Sequence, residues 1–324
     1  MSSETKGHFA GLRRAWQEQP ANLRGAFWMV GAVTGFTFTA VAVRILSDGG
    51  IDAFQSSIAR SIVGLAIVVP MIARGGGVGL LKTGHPWLHL LRALAGAGAM
   101  VFGYYAYTLM PLVEVTAISF STALFTVILA ALVLREAVGW RRWGATLVGF
   151  AGVLAMLRPG AEAFTPVALL PVGMALGFAT AVTVVKILPR QESRLTLLFY
   201  FFLMTICMAA PLADWRWPDP SQWLLLILLG LLGTASQSMI ISAFKVGDAS
   251  FVAPFDYIRL LLAWLAGQAF FAEVPDLWTL AGAAVIIGSN LYIARREARR
   301  QAEVAKKEPS VPASGGSYTS GTNY

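Results

Sequence analysis

An aspartate and an arginine lie inside a long apolar run near the carboxyl end of the chain, at a spacing that lets their side chains pair or bind a solute together. Asp256 and Arg259 follow Pro254 within the apolar run 249–272. Such a run can cross a bilayer, and a charge near its centre costs about 3 kcal/mol or more. Side chains at i and i+3 share a helix face and can pair. Arg259 could then bind a carboxylate, phosphate or carbonyl of a solute, while Asp256 orients it or carries a proton. A purely structural ion pair is the alternative.

Further polar and aromatic side chains inside apolar runs complete the candidate binding set. Arg60 lies about 12 Å below the outer end of its run at 1.5 Å per residue. Gln237 carries a long amide that needs hydrogen-bond partners in lipid. Serine and threonine in membrane helices often bond to their own backbone, and tyrosines often only pack, so a structural role is the alternative for each. The candidates for binding a solute are Arg259, Asp256, Tyr257, Gln237, Arg60, Ser119, Thr37 and Tyr105.

Four glycines at paired positions are predicted to lie where helices pack. Gly31 and Gly35 are four residues apart in one apolar run, and Gly173 and Gly177 have the same spacing in another. Small residues at this spacing form one helix face and let two helices approach closely. A hinge or sliding contact is the alternative, and it is compatible with packing.

The sequence lacks the motifs of the common catalytic and cofactor sites. It has no Gly-x-Ser-x-Gly, no His-Glu-x-x-His, no Gly-x-x-x-x-Gly-Lys and no paired cysteines. His85 and His89 have the spacing of a helical metal site, but Pro86 between them favours a helix start. We therefore expect no enzymatic activity, no cofactor and no metal site.

The composition indicates a membrane protein with many helical spans. Of the 324 residues, 56% are hydrophobic and only 13% are charged, whereas soluble domains carry about 25% charged residues. A water-facing surface cannot be built from this inventory. Apolar runs recur along the chain, and we predict ten transmembrane helices at residues 27–46, 53–73, 87–109, 113–134, 143–157, 167–188, 195–212, 223–244, 249–272 and 277–294.

The positive charges follow the predicted topology. With the amino terminus inside, 19 of the 25 Lys and Arg residues fall on the inner side and three on the outer side. This bias is typical of inner-membrane proteins with both termini in the cytoplasm. The net charge of +8 is thus explained by topology and membrane lipid, and no nucleic acid partner is expected. Residues 1–26 are predicted to be a cytoplasmic tail, and residues 295–324 a disordered cytoplasmic tail.

The two halves of the chain match each other. Gly31, Gly35 and Phe36 align with Gly173, Gly177 and Phe178 at an offset of 142, and Glu136 aligns with Glu273 at 137. Each half, 27–158 and 167–294, contains five predicted spans. Five is an odd number, so the second repeat is inverted in the membrane relative to the first. Inverted repeats are typical of secondary transporters, whose solute site lies near the midplane between the repeats.

The chain resembles the EamA-type permeases of the drug/metabolite transporter superfamily. The resemblance rests on the 5+5 duplication and on the segments 117–136 and 252–273, each of which closes on a glutamate. The family tends to have a proline in the fourth span, where this chain has Ala123, so no proline kink is expected there. Asp256 and Arg259 align with Ser119 and Thr122, so the charged pair belongs to one repeat only.

The resemblance implies a secondary transporter of a small polar or amphipathic metabolite. Buried arginines with nearby tyrosines favour an amino acid or a riboflavin-like solute, with S-adenosylmethionine as an alternative substrate. The expected partners are this small molecule and membrane lipid, with the chain acting as a monomer or a homodimer. A membrane sensor or assembly subunit that transports nothing is the alternative function.

Overall fold

The computed structural model describes residues 19–75, 77–135, 139–158, 165–188, 193–247 and 249–307, and the regular structure in these ranges is entirely helical. Glu136 and most of the two predicted tails lie outside the described residues. Short 3₁₀ turns cover Gly77–Leu81, Pro166–Ala168, Ala210–Leu212 and Ala253–Tyr257. The α-helices are α1 (Ala21–Asp48), α2 (Ala53–Gly75), α3 (Pro86–Leu109), α4 (Leu112–Ser119), α5 (Thr122–Leu132), α6 (Trp140–Leu157), α7 (Leu169–Ile187), α8 (Arg194–Ala209), α9 (Pro220–Val246), α10 (Ala249–Val252), α11 (Ile258–Phe271) and α12 (Leu277–Lys307).

Helices long and apolar enough to cross a membrane make this a multi-pass membrane protein. Within the described ranges, seven segments meet that description: Ala21–Asp48, Ala53–Gly75, Leu112–Leu132, Pro166–Ile187, Leu195–Leu212, Pro220–Val246 and Leu277–Arg296. The structure also has helices at the other three predicted spans, with less favourable composition or length. Helix α3 contains one histidine and one arginine, the apolar part of α6 covers only Trp143–Leu157, and the predicted span 249–272 is divided by a 3₁₀ turn.

Several helix pairs that join the two halves of the chain have an equivalent pair under the internal alignment of the two repeats. Helix α1 packs on α9, and its counterpart α7 packs on α3, which is the counterpart of α9. In the same way α2 packs on both α8 and α9, while α8 packs on both α2 and α3. Helices α6 and α12 meet through Gly152 and Gly282, where a Cβ on either glycine would lie within 3 Å of the other's carbonyl oxygen. Equivalent elements of the two halves thus make equivalent contacts.

The last helix extends beyond the predicted span. Helix α12 continues to Lys307, into the segment from residue 295 that composition predicts as a disordered tail. Its sequence there is rich in Ala, Arg, Glu, Gln and Lys, which are all strong helix formers. The described part of this tail is therefore a continuation of the helix.

Candidate functional site

The apolar segment Leu112–Leu132 is interrupted near its middle. Helix α4 ends at Ser119 and α5 begins at Thr122. Between them Phe120 and Ser121 form a tight turn, in which the Ser121 N–H donates to the carbonyl three residues earlier at 3.0 Å. A 3₁₀ stretch in the middle of a helix often marks a functional hinge. The interruption occurs without a proline.

Polar side chains bind the backbone that this interruption frees. Asn290 in α12 donates from Nδ2 to the Phe120 carbonyl at 3.0 Å. The Ser119 hydroxyl donates to the Thr116 carbonyl at 2.6 Å, and the Thr122 hydroxyl donates to the Ser119 carbonyl at 2.7 Å. Because unsatisfied backbone groups are very unfavourable in lipid, these three bonds stabilise a bend that the backbone alone would resist.

A second interruption occurs between α10 and α11. The chain changes there from α-helix to the 3₁₀ turn Ala253–Tyr257, and Pro254 contributes no backbone N–H. Asp256 lies in this turn and Arg259 in the first turn of α11. Their side chains form an ion pair of 3.6 Å between Oδ2 and Nη2, with 34% and 22% of each side chain exposed.

The two interruptions meet each other. Arg259 Nη2 lies 3.5 Å from the Ser119 hydroxyl, and its guanidinium carbon lies 5.1 Å from the centre of the Phe120 ring. The Tyr257 ring packs edge-to-face on Phe120 with 5.0 Å between centroids. At the offset of 137, Phe120 and Tyr257 are equivalent positions of the two repeats. We call Ser119, Phe120, Asp256, Tyr257 and Arg259 the crossing site.

The crossing site combines hydrogen-bond donors with aromatic surface. Arg259 is held by Asp256 on one side and by the Phe120 ring on the other, while its Nε is buried and has no hydrogen-bond partner among the described residues. Guanidinium groups bind carboxylates, phosphates and carbonyls through paired N–H donors. The arrangement can therefore bind a solute that carries an acceptor group next to a flat ring.

A second arginine lies deeper, between α2, α3 and α9. Arg60 is only 7% exposed. Its Nη1 lies 3.2 Å from the Met100 sulfur, and its guanidinium carbon lies 5.7 Å from the centre of the Tyr104 ring. Gly233 of α9 approaches so closely that a Cβ there would collide with Arg60 Nε. Tyr107, one turn after Tyr104, packs against the apolar clusters on both sides of α3, one containing Tyr104 and the other containing the Phe120 ring.

Polar contacts join several helix ends on the side that the sequence predicts to be external. Arg44 Nη1 donates to the carbonyls of Tyr107 and Met110, each at 3.1 Å, and lies 3.9 Å from Glu273 Oε1. Glu273 Oε2 accepts the Leu112 N–H at 2.8 Å. Burial raises the pKa of Glu273 above its usual value, and the Leu112 N–H and Arg44 oppose this shift. The contacts tie α1, α3, α4 and the end of α11 together.

A small cavity lies beside these contacts. Its volume is about 180 Å³, below the range of roughly 300–1,000 Å³ for ligand pockets. Arg158 and Asp276, which form an ion pair, contribute to its wall. The remaining lining residues are Met110, Glu114, Ile118, Met156, Leu157, Thr165, Ala168 and Thr279.

Comparison with known proteins identifies the family. The model of the EamA-like transporter family matches residues 23–158 and again residues 165–295. The chain belongs to this family. Its members are transporters, so this chain is a membrane transporter in which two copies of one module contribute the two interrupted helices.

Several relatives of this transporter are similar over nearly their whole length. A protein of Rickettsia felis named S-adenosylmethionine uptake transporter is 33% identical over 84% of this chain and 92% of the relative. A protein of Vibrio cholerae named riboflavin transporter is 33% identical over 87% of this chain and 98% of the relative. One crystal structure matches with a TM-score of 0.54 at 22% identity, over 86% of this chain and 98% of that one, which indicates a shared fold.

The structure brings some of the predicted binding residues of this transporter together and leaves others apart. Arg259, Asp256, Tyr257 and Ser119 meet at the crossing site, and Arg60 lies beside Tyr104. By contrast, Thr37 is buried and donates to the carbonyl of Val33, its own backbone neighbour, at 2.9 Å. Tyr105 is 39% exposed and stacks on Phe54, and Gln237 is exposed on α9.

The four glycines lie at helix contacts. Gly31 and Gly35 face α9, where a Cβ on Gly35 would collide with the Ser236 hydroxyl. Gly173 and Gly177 face α3, and a Cβ on Gly177 would lie 2.7 Å from the Ala95 carbonyl oxygen. These glycines allow the repeat-equivalent helix pairs α1–α9 and α7–α3 to approach at short range.

Two residues of the site were missed by sequence reasoning: Asn290, which binds the interrupted backbone, and Phe120, the aromatic centre of the crossing site. Of the tyrosines at positions 104, 105 and 107, at least one is expected from the sequence to face the interior; Tyr105 is the predicted candidate, whereas Tyr104 is the one that faces Arg60. Asn290 could have been found by the argument applied to Gln237, since it is also an amide in an apolar run. Phe120 could have been found as the repeat equivalent of Tyr257.

Proposed function

We propose that this chain is a secondary transporter that moves a small polar or amphipathic metabolite across the membrane by alternating access. The crossing of two interrupted, repeat-equivalent helices carries the proposal. In transporters built from inverted repeats, discontinuous helices form the solute site near the midplane. Here both interruptions occur in apolar segments, and the Arg259 side chain joins them. Transport is proposed as the only activity of the chain, without catalysis and without a cofactor or metal.

The proposed architecture has ten transmembrane helices in two inverted five-helix repeats, residues 27–158 and 167–294. Repeat-equivalent helix contacts support it, since α1 packs on α9 as α7 packs on α3. We infer a position in the inner membrane with both termini in the cytoplasm, from the predominance of Lys and Arg on one side. The crossing site is built within one chain, so a monomer suffices, and a homodimer would duplicate the site.

The proposed motion is a relative rocking of the two repeats about the crossing site. The turn at Phe120–Ser121 and the 3₁₀ turn Ala253–Tyr257 provide places where backbone angles can change. The glycine faces on α1 and α7 provide smooth contacts along which helices can slide. The polar contacts of Arg44 and Glu273 would then hold one side closed and have to separate when that side opens.

The proposed substrate has a flat ring and hydrogen-bonding groups. The solutes named for the two relatives, S-adenosylmethionine and riboflavin, share these features. Phe120 and Tyr257 offer aromatic surface on which a ring can pack, and Arg259 offers donors for an acceptor atom. Amino acids would use Arg259 without the aromatic contact. We therefore place S-adenosylmethionine-like and riboflavin-like metabolites ahead of simple amino acids.

Uptake into proteoliposomes tests the proposal. Purified protein is reconstituted, and entry of labelled S-adenosylmethionine, riboflavin and a mixture of amino acids is measured. We expect flux of at least one solute in the wild type and a loss of about 10- to 100-fold in Arg259→Ala, which corresponds to one hydrogen bond to a charged group. Arg141→Ala is the matched control, because Arg141 also lies over an aromatic ring, at 5.3 Å from Trp140, but is exposed.

One result would contradict the transport proposal, and another would contradict the role of Arg259 in it. A folded wild-type protein without flux of any solute would favour a membrane sensor or an assembly subunit. Wild-type flux in Arg259→Ala would leave the transport function in place and assign the Asp256–Arg259 pair a structural role.

A further inference from the structure

Arg60 is a buried cation without a counter-charge. It is 93% buried in helix α2, and no carboxylate of the described residues lies within ion-pairing distance of it. Its identified contacts are the Met100 sulfur and the face of the Tyr104 ring. Removing a charged group from water costs several kcal/mol even after the protein relaxes. Neither a thioether nor a ring face offsets such a penalty.

The other arginines inside the helix bundle differ in this respect. Arg44, Arg158 and Arg259 each lie within 4 Å of a carboxylate oxygen. Arg92 lies near a helix end, where it donates to the Leu197 carbonyl at 2.6 Å. The lack of a partner is therefore particular to Arg60 and is not a general feature of this protein's arginines.

Further buried hydrogen-bonding groups lie on the two helices that hold Arg60 and its ring contact. Ser56, fully buried and one helical turn before Arg60, has a hydroxyl without a partner among the described residues. The Tyr104 ring lies beside the guanidinium, and its buried hydroxyl has no hydrogen-bond partner in the described part of the chain. Arg60 Nε is likewise buried and unbonded. By contrast, Ser57 and Ser61 on the same helix donate to their own backbone.

We propose that Arg60, Tyr104 and Ser56 form a subsite for an oxyanion, namely a carboxylate or a phosphate. All three can donate hydrogen bonds, and the guanidinium supplies the compensating charge. Gly233 leaves room for the guanidinium, because any side chain at that position would occupy its place. The subsite is closed by α9 in this conformation, so the anion enters when α9 moves away from α2 and α3.

The subsite deepens the proposed function and rests on it for the identity of the substrate. Tyr107 packs on both the cluster that contains Tyr104 and the cluster that contains Phe120, so α3 contributes to the crossing site and to the Arg60 subsite. A substrate with an acidic group at one end and a flat ring at the other offers a group to each of these places. S-adenosylmethionine has such a carboxylate and riboflavin has none. Asp256 is available to a cationic centre in the same solute.

Matched pairs of solutes test the subsite in proteoliposomes. The probes are S-adenosylmethionine with its decarboxylated analogue, and riboflavin 5′-phosphate with riboflavin. In the wild type we expect the acidic member of at least one pair to compete for uptake about 10- to 100-fold better. Arg60→Met should abolish this preference, so that the acidic and non-acidic members of each pair compete equally well. Ser57→Ala is the control, since Ser57 is buried on the same helix but bonded to its own backbone. An unchanged preference in Arg60→Met would overturn the proposal.

Thermal unfolding in detergent separates the subsite from the transport function. Methionine has similar length and no charge, so Arg60→Met should unfold at a higher temperature than the wild type when no solute is present. A structural arginine would give the opposite result. Acetate and inorganic phosphate at millimolar concentration should raise the unfolding temperature of the wild type relative to chloride of equal ionic strength, and not that of Arg60→Met.

The combined results identify the source of the anion. A preference for the acidic solutes supports a substrate-borne group, whereas an Arg60-dependent shift with phosphate alone supports a free anion at the same subsite. The absence of both effects refutes the subsite, even if flux is normal. An Arg60-dependent anion shift without flux of any solute refutes the transport proposal and leaves the subsite in place.

Discussion

Alanine substitutions at the equivalent glycines Gly35 and Gly177 should have unequal effects. A Cβ at Gly177 would lie 2.7 Å from the Ala95 carbonyl oxygen and 2.9 Å from Ala99 Cβ. Optimal contacts between carbon atoms are about 3.5–4.0 Å, so α7 would have to move away from α3 by roughly half an ångström or more. Neither obstacle can rotate, because one is backbone and the other is a Cβ.

The obstacle at Gly35 is different in kind. There a Cβ would meet the Ser236 hydroxyl, with the Ser236 Cβ at 3.5 Å. The hydroxyl can turn to another rotamer, so the helices need not separate. Overpacking of a fixed contact costs about 1–3 kcal/mol, and alanine regains up to about 1 kcal/mol of helix propensity over glycine. We therefore expect Gly177→Ala to be destabilised by about 1–2 kcal/mol and Gly35→Ala to be neutral or slightly stabilised.

Thermal unfolding of the two variants in the same detergent measures the difference. The double variant Gly35→Ala with Ser236→Ala is the control for the hydroxyl contact and should be at least as stable as Gly35→Ala alone. Equal effects at the two glycines would refute the assignment of the contacts. A stabilised Gly177→Ala would show that α3 and α7 are not packed as closely as the structure has them.

Three further predictions concern the pH response, the aromatic contact and a helix start. Burial raises the pKa of Glu273, so the contribution of this residue to stability is greatest below the unfolded-state pKa of about 4.5 and is lost as the pH rises through the folded-state pKa. The unfolding temperature of Glu273→Gln should therefore depend less on pH between pH 4.5 and 8 than that of the wild type, and an unchanged dependence would contradict this. Phe120→Leu should raise the KM for a ring-bearing solute severalfold through the loss of an aromatic contact of about 0.5–1.5 kcal/mol, whereas an unchanged KM would remove Phe120 from the site. Hydrogen bonds from Ser221 and Gln222 lower the pKa of Asp219 at the start of α9, so the stabilising effect of the Asp219 carboxylate is lost as the pH falls through its folded-state pKa. Asp219→Ala should therefore lower the unfolding temperature at pH 7 and not at pH 2, and equal losses at both pH values would argue against stabilisation of α9 by the ionised carboxylate.

Sequence reasoning was most informative where a residue type is itself unusual. Charges next to Pro254 in an apolar run predicted a functional region, and the structure places Asp256 and Arg259 in and next to a 3₁₀ turn there. The interruption at Phe120 could not be predicted, because the chain has Ala123 where a proline would have indicated a break in the helix. It depends on side chains that bind the freed backbone, and one of them, Asn290, lies 170 residues away.

The choice among neighbouring tyrosines was not predictable either. Residues 104, 105 and 107 point in different directions around α3, and all of them fit an apolar helix. Packing decides between them, because Tyr104 lies against Arg60 while Tyr105 stacks on Phe54 at the surface. The extent of α3, by contrast, was predictable: the apolar run indicates a span at residues 87–109, and the helix covers Pro86–Leu109.

The internal symmetry separates the residues that build the fold from those that select a solute. Glycine contacts and the helix interruptions near Phe120 and Tyr257 occur at equivalent places in both repeats, as expected if both halves must move. The two arginines of the proposed sites do not follow this symmetry: Arg259 aligns with Thr122 at the offset of 137, and Arg60 aligns with Phe201 at 141. A motion shared by both repeats needs no such charges, and each is costly in a membrane. Their asymmetric placement is therefore best explained by a solute that is itself asymmetric, with one group for Arg259 and another for Arg60.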